Sequence, residues 1–258
     1  MSRKVRASLV PLAALLCARL VTSTADCAPH PIETETVHYV SGGESVSGFL
    51  AKPTAPGRHP GLIVIHEWWG LVPWVREQAR KFAGQGYVSL AVDLYRGPST
   101  TNPEVAHELM QRLPPDRAVR DLVAAFNYLA ARPDVDPNKI GSVGWCMGGG
   151  YSLLLAVHEP RLAACIVNYG SLPSDPATIA KIRAPVLANF GGLDRGITPA
   201  KIRAFEKAMR AAGKSVNAKI YPDAGHAFEN PNNQAGYRPQ DARDAWNRMT
   251  DFLAKTLR

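Results

Sequence analysis

The stretch Gly144-Trp145-Cys146-Met147-Gly148-Gly149-Gly150 decides the fold. It follows KIGSV (139–143), which is typical of a buried strand, and it precedes YSLLLAVHEP (151–160), which has a helical pattern. A glycine-x-nucleophile-x-glycine motif between a strand and a helix predicts a nucleophile elbow. In such an elbow a sharp turn lifts one side chain above the edge of the sheet, at the N-terminus of the helix.

The side chain at the centre of this predicted elbow is a cysteine, Cys146. The helix dipole and the free amides of a helix N-terminus favour a thiolate, so Cys146 is the candidate nucleophile. The alternative is a cysteine that packs into a glycine-rich turn for steric reasons alone. We favour the catalytic interpretation because the strand before and the helix after the motif are those of an elbow.

Strand-like and helix-like segments alternate on both sides of the elbow. A hairpin is predicted first, from extended segments at 34–41 and 46–51. Strands of continuous apolar character follow at 61–67, 87–94, 139–145, 162–170, 184–192 and 215–222. Helical patterns lie between them, at 73–85, 103–131 with a break at Pro114-Pro115, 148–157, 198–212 and 239–256. This alternation predicts an α/β fold: a mostly parallel twisted sheet with helices on both faces, in one domain.

Two further residues stand where a base and its orienting acid are needed. Asp194 follows the predicted strand at 184–192, and His226 follows the one at 215–222. The carboxyl ends of parallel strands share one edge of a sheet, so we expect both side chains near Cys146. The order nucleophile, acid, histidine predicts that His226 takes the thiol proton while Asp194 fixes its tautomer.

The segment His66-Glu67-Trp68-Trp69-Gly70 ends the first buried strand. A loop in this place supplies one oxyanion-hole amide, and the residue after the nucleophile supplies the other, so we nominate the backbone N–H groups of Trp68 and Met147. Glu67 is unexpected here, because a carboxylate beside a thiolate raises the thiol pKa. A salt-bridged loop acid is the alternative interpretation of Glu67.

The amino terminus predicts a signal peptide. Residues 1–6 carry three cations, residues 7–18 form an apolar run of twelve, and residues 23–25 are small. The apolar run is too short to span a bilayer, which disfavours a membrane anchor. We therefore predict a signal peptide over 1–25, an exported protein, and a single domain over 26–258.

The charge of the chain does not indicate a nucleic-acid-binding protein. The 258 residues include 30 Lys+Arg and 22 Asp+Glu, a net charge of +8, and four of the cations lie in the predicted signal peptide. The remaining cations form no run or stripe, so we expect no nucleic-acid partner. No spacing typical of a metal or cofactor site is present. We expect a monomer without a cofactor that acts on a small molecule.

Five segments closely resemble one known family, that of the dienelactone hydrolases (carboxymethylenebutenolidases) of the α/β-hydrolase fold. They are HEWWG (66–70), VDLYRG (92–97), GWCMGGG (144–150), GGLD (191–194) and DAGHAFEN (223–230). The similarity runs from about residue 34 to the C-terminus. It implies a triad of Cys146, His226 and Asp194 that opens an enol-lactone through a thiol ester. It also implies that Glu67 contacts the resting thiol until substrate displaces it.

The sequence departs from this family where the lactone carboxylate binds. Two arginines hold that carboxylate in the family, whereas here Arg96 comes one residue early and Asn230 occupies the second position. Arg96 and Asn230 remain candidate substrate-binding residues, with half of the anion clamp missing or rebuilt. Tryptophans are expected at the mouth of the site instead, and they favour an apolar or aromatic acyl group: Trp68, Trp69, Trp74 and Trp145.

Three functional hypotheses follow. The first is an exported cysteine-nucleophile hydrolase of lactones or small carboxylic esters. The second is a non-catalytic α/β-hydrolase-like module that binds a ligand. It is disfavoured because every member of the triad is present. The third is a thiol-redox protein that uses Cys146 with Cys165 or Cys27, which the lack of a C-x-x-C motif disfavours.

Overall fold

The structure is a computed structural model that describes Met1 and residues 30–258. Apart from Met1, the predicted signal peptide lies outside the described residues, and so does Cys27. None of the described helices is both long and apolar enough to cross a membrane.

The described residues form one eight-stranded sheet in the order β1-β2-β4-β3-β5-β6-β7-β8. Only β2 breaks the parallel arrangement of this sheet, since it runs antiparallel to both of its neighbours, β1 and β4. The strands are β1 (Ile32–Ser41), β2 (Glu44–Pro53), β3 (His59–Ile65), β4 (Val88–Val92), β5 (Val135–Trp145), β6 (Ala164–Asn168), β7 (Val186–Gly191) and β8 (Val216–Tyr221). The predicted α/β fold and its opening hairpin are confirmed.

Seven helices cover this sheet within the described residues. They are α1 (Pro73–Gly84), α2 (Pro103–Gln111), α3 (Pro115–Ala130), α4 (Met147–His158), α5 (Pro176–Lys181), α6 (Pro199–Ala211) and α7 (Pro239–Leu257). The predicted break at Pro114-Pro115 separates α2 from α3. The sequence prediction missed α5, because six residues are too few to show a helical period.

Right-handed crossovers distribute the helices over both faces. The β3-α1-β4 unit moves one way along the sheet and the β5-α4-β6 unit moves the other way, which puts α1 and α4 on opposite faces. On the first face α1 meets α7, where the rings of Phe82 and Trp246 lie 4.7 Å apart. On the other face α4 packs beside α3.

The central strands are buried on both sides. Every residue of β4, β6 and β7 is buried, which explains the continuous apolar runs of the sequence. The first part of β5 was not predicted. Val135 and Asp136 pair with His59 and Pro60, and the register then shifts, so the apolar run begins only at Ile140.

Candidate active site

Cys146 occupies a strained turn between β5 and α4. Its backbone has φ 54° and ψ −119°, in the left-handed half of φ space that few non-glycine residues adopt. A Cβ atom on Gly144 would overlap the carbonyl oxygen of Gly148, and one on Gly148 would overlap that of Ile65. The glycines therefore allow the turn to pack against the end of β3. The predicted elbow is present.

His226 and Asp194 meet at the same edge of the sheet. His226 lies in the loop after β8, and its Nδ1 is 2.7 Å from Oδ2 of Asp194, in the loop after β7. The other carboxylate oxygen, Oδ1, accepts hydrogen bonds from the amides of Gly196 (2.8 Å) and Ile197 (3.0 Å). Both oxygens of Asp194 are thus engaged, which fixes the orientation of the imidazole.

The electrostatics of this group favour a charged imidazole. Burial alone would lower the pKa of His226, but the hydrogen bond with Asp194 and the neighbouring thiol of Cys146 raise it to about 10. Burial alone would likewise raise the pKa of Asp194, yet the bonds from His226 and the two amides lower it overall. The folded site therefore favours the protonated form of His226.

The two nominated oxyanion amides are available as donors. Neither Trp68 N nor Met147 N has a hydrogen-bond acceptor among the described residues. The hydroxyl of Tyr95 donates to the Trp68 carbonyl at 2.9 Å and lies 3.4 Å from Met147 Sδ. Tyr95, which the sequence did not single out, therefore connects the two residues whose amides are nominated for the oxyanion hole.

Glu67 is buried and held by two partners. Its Oε2 accepts from Asn230 Nδ2 at 2.6 Å, and its Oε1 accepts from the Tyr169 hydroxyl at 3.3 Å. Burial raises the pKa of Glu67 to about 7, although Asn230, the charge of His226 and Tyr169 act in the opposite direction. No hydrogen bond joins Glu67 to Cys146 in the described part of the chain. The thiol lies beside His226 instead.

His66 connects the loop after β3 to the loop after β4. Its Nε2 accepts from the amide of Leu94 at 3.2 Å, so Nδ1 carries the proton and donates to the carbonyl of Glu67 at 2.6 Å. Burial lowers the pKa of His66, consistent with a neutral ring. His66 is a structural residue that positions Glu67 and Trp68.

Arg96 does not reach the pocket, contrary to the prediction that it binds substrate. Its Nε and Nη2 donate to both oxygens of Asp121, a fully buried carboxylate, and its Nη1 donates to Glu44 at 2.6 Å. All three guanidinium nitrogens are thus occupied. The backbone of Arg96 has φ 60°, and its side chain is directed to Asp121 and Glu44 rather than to the pocket.

Asn230 and Trp69 also differ from the prediction. Asn230 is 3% exposed and contacts Glu67 rather than the pocket surface. Trp69 packs edge-on against Trp68, with ring centroids 4.9 Å apart, and does not line the pocket. Trp145 is buried beneath the elbow against Trp74. The predicted tryptophan-lined mouth is therefore wrong, because these side chains pack on one another.

A pocket of about 500 Å³ opens beside Cys146 and His226. Its wall is mainly apolar and includes Met110, Pro115, Leu154, Leu172 and Ile197. No lysine, arginine, aspartate or glutamate is among the described residues that line it. Within residues 30–258 no cluster of histidine, cysteine and carboxylate side chains could hold a metal ion.

Glu229 is a second buried acid beneath the site, which the sequence reasoning missed. Its Oε2 accepts from Trp145 Nε1 at 2.9 Å, while Oε1 has no partner among the described residues. Burial and the charge of Glu67 together raise the pKa of Glu229 to about 8, although the hydrogen bond from Trp145 acts in the opposite direction. The folded protein therefore holds a proton on Glu229 that the unfolded chain releases above its ordinary pKa of about 4.5.

This linkage predicts that Glu229→Gln stabilises the protein at alkaline pH. Because the folded-state pKa is raised, the free energy of unfolding falls as the pH rises from about 4.5 to about 8. A glutamine keeps an acceptor for Trp145 without a charge, so we expect a gain of about 1 to 3 kcal/mol at pH 9 and little change at pH 5. Urea unfolding at both pH values measures it. The exposed Glu77→Gln is the control, and an equal effect of Glu229→Gln at both pH values would contradict the linkage.

The sheet, the elbow and the acid and histidine at the strand ends define the chain as an α/β-hydrolase. The chain matches the model of the dienelactone hydrolase family over residues 46–257. It belongs to that family, as the sequence resemblance implied.

Individual relatives agree with this assignment. A protein of Methylorubrum extorquens named "Putative carboxymethylenebutenolidase" is 32% identical over 81% of this chain and 76% of its own length. A Bradyrhizobium protein named "Probable 2-oxo-3-(5-oxofuran-2-ylidene)propanoate lactonase" is 31% identical over 88% and 96%. A crystal structure titled as a "Putative Dienelactone Hydrolase" from Klebsiella pneumoniae superposes with a TM-score of 0.80, at 29% identity, over 88% of this chain and 100% of its own.

The chain is therefore a hydrolase similar to the dienelactone hydrolases, and the hypothesis of a binding module loses its support. The redox hypothesis gains no support from Cys165, which is fully buried in β6 with its thiol against Ser152, and Cys27 lies outside the described residues. Burial raises the pKa of Cys165 to about 11, which keeps it an unreactive thiol.

Proposed function

We propose that the protein is an exported cysteine-nucleophile hydrolase of lactones or small carboxylic esters that works through a thiol ester. One observation carries the catalytic part of this proposal. Cys146, in an elbow turn, lines the same pocket as His226, whose Nδ1 lies 2.7 Å from Oδ2 of Asp194. This is the arrangement that a nucleophile, a base and an orienting acid require.

In the first half-reaction the thiolate of Cys146 attacks the carbonyl carbon of the substrate. A carbon–sulfur bond forms, and the electron pair of the carbonyl moves to its oxygen, which the amides of Trp68 and Met147 stabilise. The carbonyl then re-forms, the bond to the alkoxy oxygen breaks, and His226 gives its proton to the leaving oxygen. In a lactone the released alcohol stays attached to the acyl group.

In the second half-reaction a water molecule gives a proton to His226, and its oxygen attacks the thiol ester. The carbon–sulfur bond breaks, the carboxylic acid leaves, and the pair of thiolate and imidazolium is restored. Asp194 keeps its charge throughout and holds the ring in the orientation that both steps need.

Glu67 is proposed to regulate the thiol. Its carboxyl is close enough to His226 for the imidazolium to lower its pKa. An ionised Glu67 competes with the thiolate for this positive charge, so it favours a protonated, resting thiol. A neutral resting thiol suits an exported enzyme, because it is oxidised less readily than a permanent thiolate.

The nucleophile is tested by alkylation of the wild-type protein. We expect iodoacetamide to modify Cys146 and to abolish hydrolysis in proportion, because this thiol is half-buried at the pocket and paired with His226. Cys165 is the internal control, since its burial keeps it unmodified. Peptide mapping and residual activity are measured together. Full activity after complete alkylation of Cys146 would refute the proposal.

Export is proposed from the leader over residues 1–25. N-terminal sequencing of the protein recovered from outside the cytoplasm should begin near Asp26. A protein that retains residues 1–25 and stays in the cytoplasmic fraction would show that the leader is not a signal peptide.

A further inference from the structure

One face of α4 forms the floor of the pocket. Met147, Gly150, Tyr151, Leu154 and Val157 all line it, at the spacing of a single helix stripe. They span about 15 Å along the axis, since a helix rises about 1.5 Å per residue. The pocket is therefore a groove that begins at the nucleophile and runs along three turns of α4.

The opposite walls of this groove, which we call the α4 groove, are also apolar. Met110 of α2 and Pro115 at the start of α3 form one side. Leu172, from the loop after β6, and Ile197, from the loop after β7, form the other. Such a surface binds methylene groups, because each one that leaves water contributes to binding.

The cationic side chains near the α4 groove are already paired with carboxylates, which disfavours the binding of an anion there. Arg96 is bound to Asp121 and Glu44, and the positive charge of His226 already faces Asp194. A carboxylate buried there would lose its hydration without gaining a cation, which is strongly unfavourable. An anionic substrate is therefore disfavoured relative to a neutral one of the same shape.

Arg117 is a further cation near the α4 groove, and its charge would favour an anionic substrate if the side chain lined the groove. Its Nη2 donates to the carbonyl of Leu94 at 3.2 Å, while its Nε is buried without a partner among the described residues. Burial raises the pKa of Tyr151, and the charge of Arg117 acts in the opposite direction, so this charge reaches the pocket wall. Arg117 does not itself line the α4 groove.

We propose that the substrate is an uncharged ester or lactone whose medium-length apolar chain lies in the α4 groove. This inference rests on the proposed function, since it assigns a substrate class to the same nucleophile. It departs from the carboxylate-bearing enol-lactone that the family resemblance implies.

Two substrate series test the proposal on the wild-type protein. The first consists of p-nitrophenyl esters from acetate to decanoate, and the second of γ-lactones with alkyl groups from methyl to heptyl. We expect kcat/KM to rise about two- to fourfold per methylene until the groove is filled. A rise of kcat/KM along the p-nitrophenyl ester series would place the apolar chain on the acyl side of the cleaved bond. A rise along the lactone series would place it on the alcohol side. A flat or falling profile in both would overturn the proposal.

The charge requirement is tested with matched pairs. We compare the p-nitrophenyl ester of adipic acid that ends in a free carboxylate with the one that ends in a methyl ester. The neutral ester should have a kcat/KM at least about 10²-fold higher. An equal or faster reaction of the anion, reduced by Arg117→Leu, would overturn the proposal in favour of an anion site at Arg117.

Leu154→Arg tests the groove itself. An arginine at this half-buried position should flatten the chain-length profile and favour the carboxylate ester over the neutral one. Val105→Arg is the matched control, because Val105 is an exposed residue of α2 outside the groove. An unchanged profile in Leu154→Arg would overturn the proposal.

The failure of this inference can be told apart from failure of the proposed function. If Cys146-dependent hydrolysis occurs but short or anionic substrates are preferred, only the substrate class is wrong. If no ester or lactone is hydrolysed, or if hydrolysis persists without Cys146, the proposed function itself is overturned.

Discussion

Replacing Cys146 with alanine is expected to lower kcat/KM for esters and lactones by at least about 10⁴-fold. The substitution removes the sulfur proposed to form the thiol ester, while the amides nominated for the oxyanion hole and the pocket remain. The remaining rate should therefore be that of oxyanion stabilisation and binding alone. Hydrolysis of p-nitrophenyl butyrate, followed by release of the phenol, measures the effect.

Two controls accompany this variant. Cys165→Ala removes the other described cysteine, which is buried away from the pocket, and should keep wild-type kcat/KM. Far-UV circular dichroism should show that Cys146→Ala is folded, since a smaller side chain fits the same turn. Activity of Cys146→Ala within tenfold of wild type would mean that another group attacks the substrate.

Replacing His226 with alanine is expected to lower kcat/KM by at least about 10³-fold. Without the imidazole the thiol loses the partner that takes its proton, and the leaving oxygen loses its proton donor. Added imidazole should restore part of the activity, because the variant leaves a cavity beside Asp194. The rescue separates a role in proton transfer from a merely structural one.

The control for this variant is His158→Ala, an exposed histidine at the end of α4. It should keep wild-type kcat/KM and show no response to imidazole. A loss of less than tenfold in His226→Ala would contradict its role as the base.

The fold could be predicted from sequence because its signals are local. Apolar runs marked the buried strands, the pair Pro114-Pro115 marked the break between two helices, and the glycines around Cys146 marked the elbow. The meeting of His226 with Asp194 was also predictable, since parallel topology brings strand ends to one edge. The short helix α5 and the bulged start of β5 lack such signals.

The side-chain directions in the loops could not be predicted in the same way. Arg96 follows the expected motif but turns toward Asp121, a partner that lies 25 residues away in sequence. Trp145 lies next to the nucleophile yet points beneath it, to Glu229. Asn230 replaces a predicted anion contact and holds Glu67 instead. Each outcome depends on long-range contacts that no periodicity reveals.

The pocket illustrates the same limit. An apolar site was expected, but from four tryptophans around the elbow and the loop after β3 rather than from the stripe of α4. The spacing of apolar residues in YSLLLAV predicts one apolar face of α4, but a face buried in the core would show the same spacing. Only the positions of α2 and the loop after β6 show that part of this face borders an open groove.

The most direct test of a thiol-ester mechanism is the intact mass of the protein quenched in acid during turnover of p-nitrophenyl octanoate. We predict a species heavier by one octanoyl group, with the acyl group on the Cys146 peptide and released by neutral hydroxylamine. His226→Ala should retain whatever acyl group it acquires for longer, because the water that cleaves the thiol ester then lacks its base. An active protein with no adduct, or with an adduct on any residue other than Cys146, would contradict the mechanism.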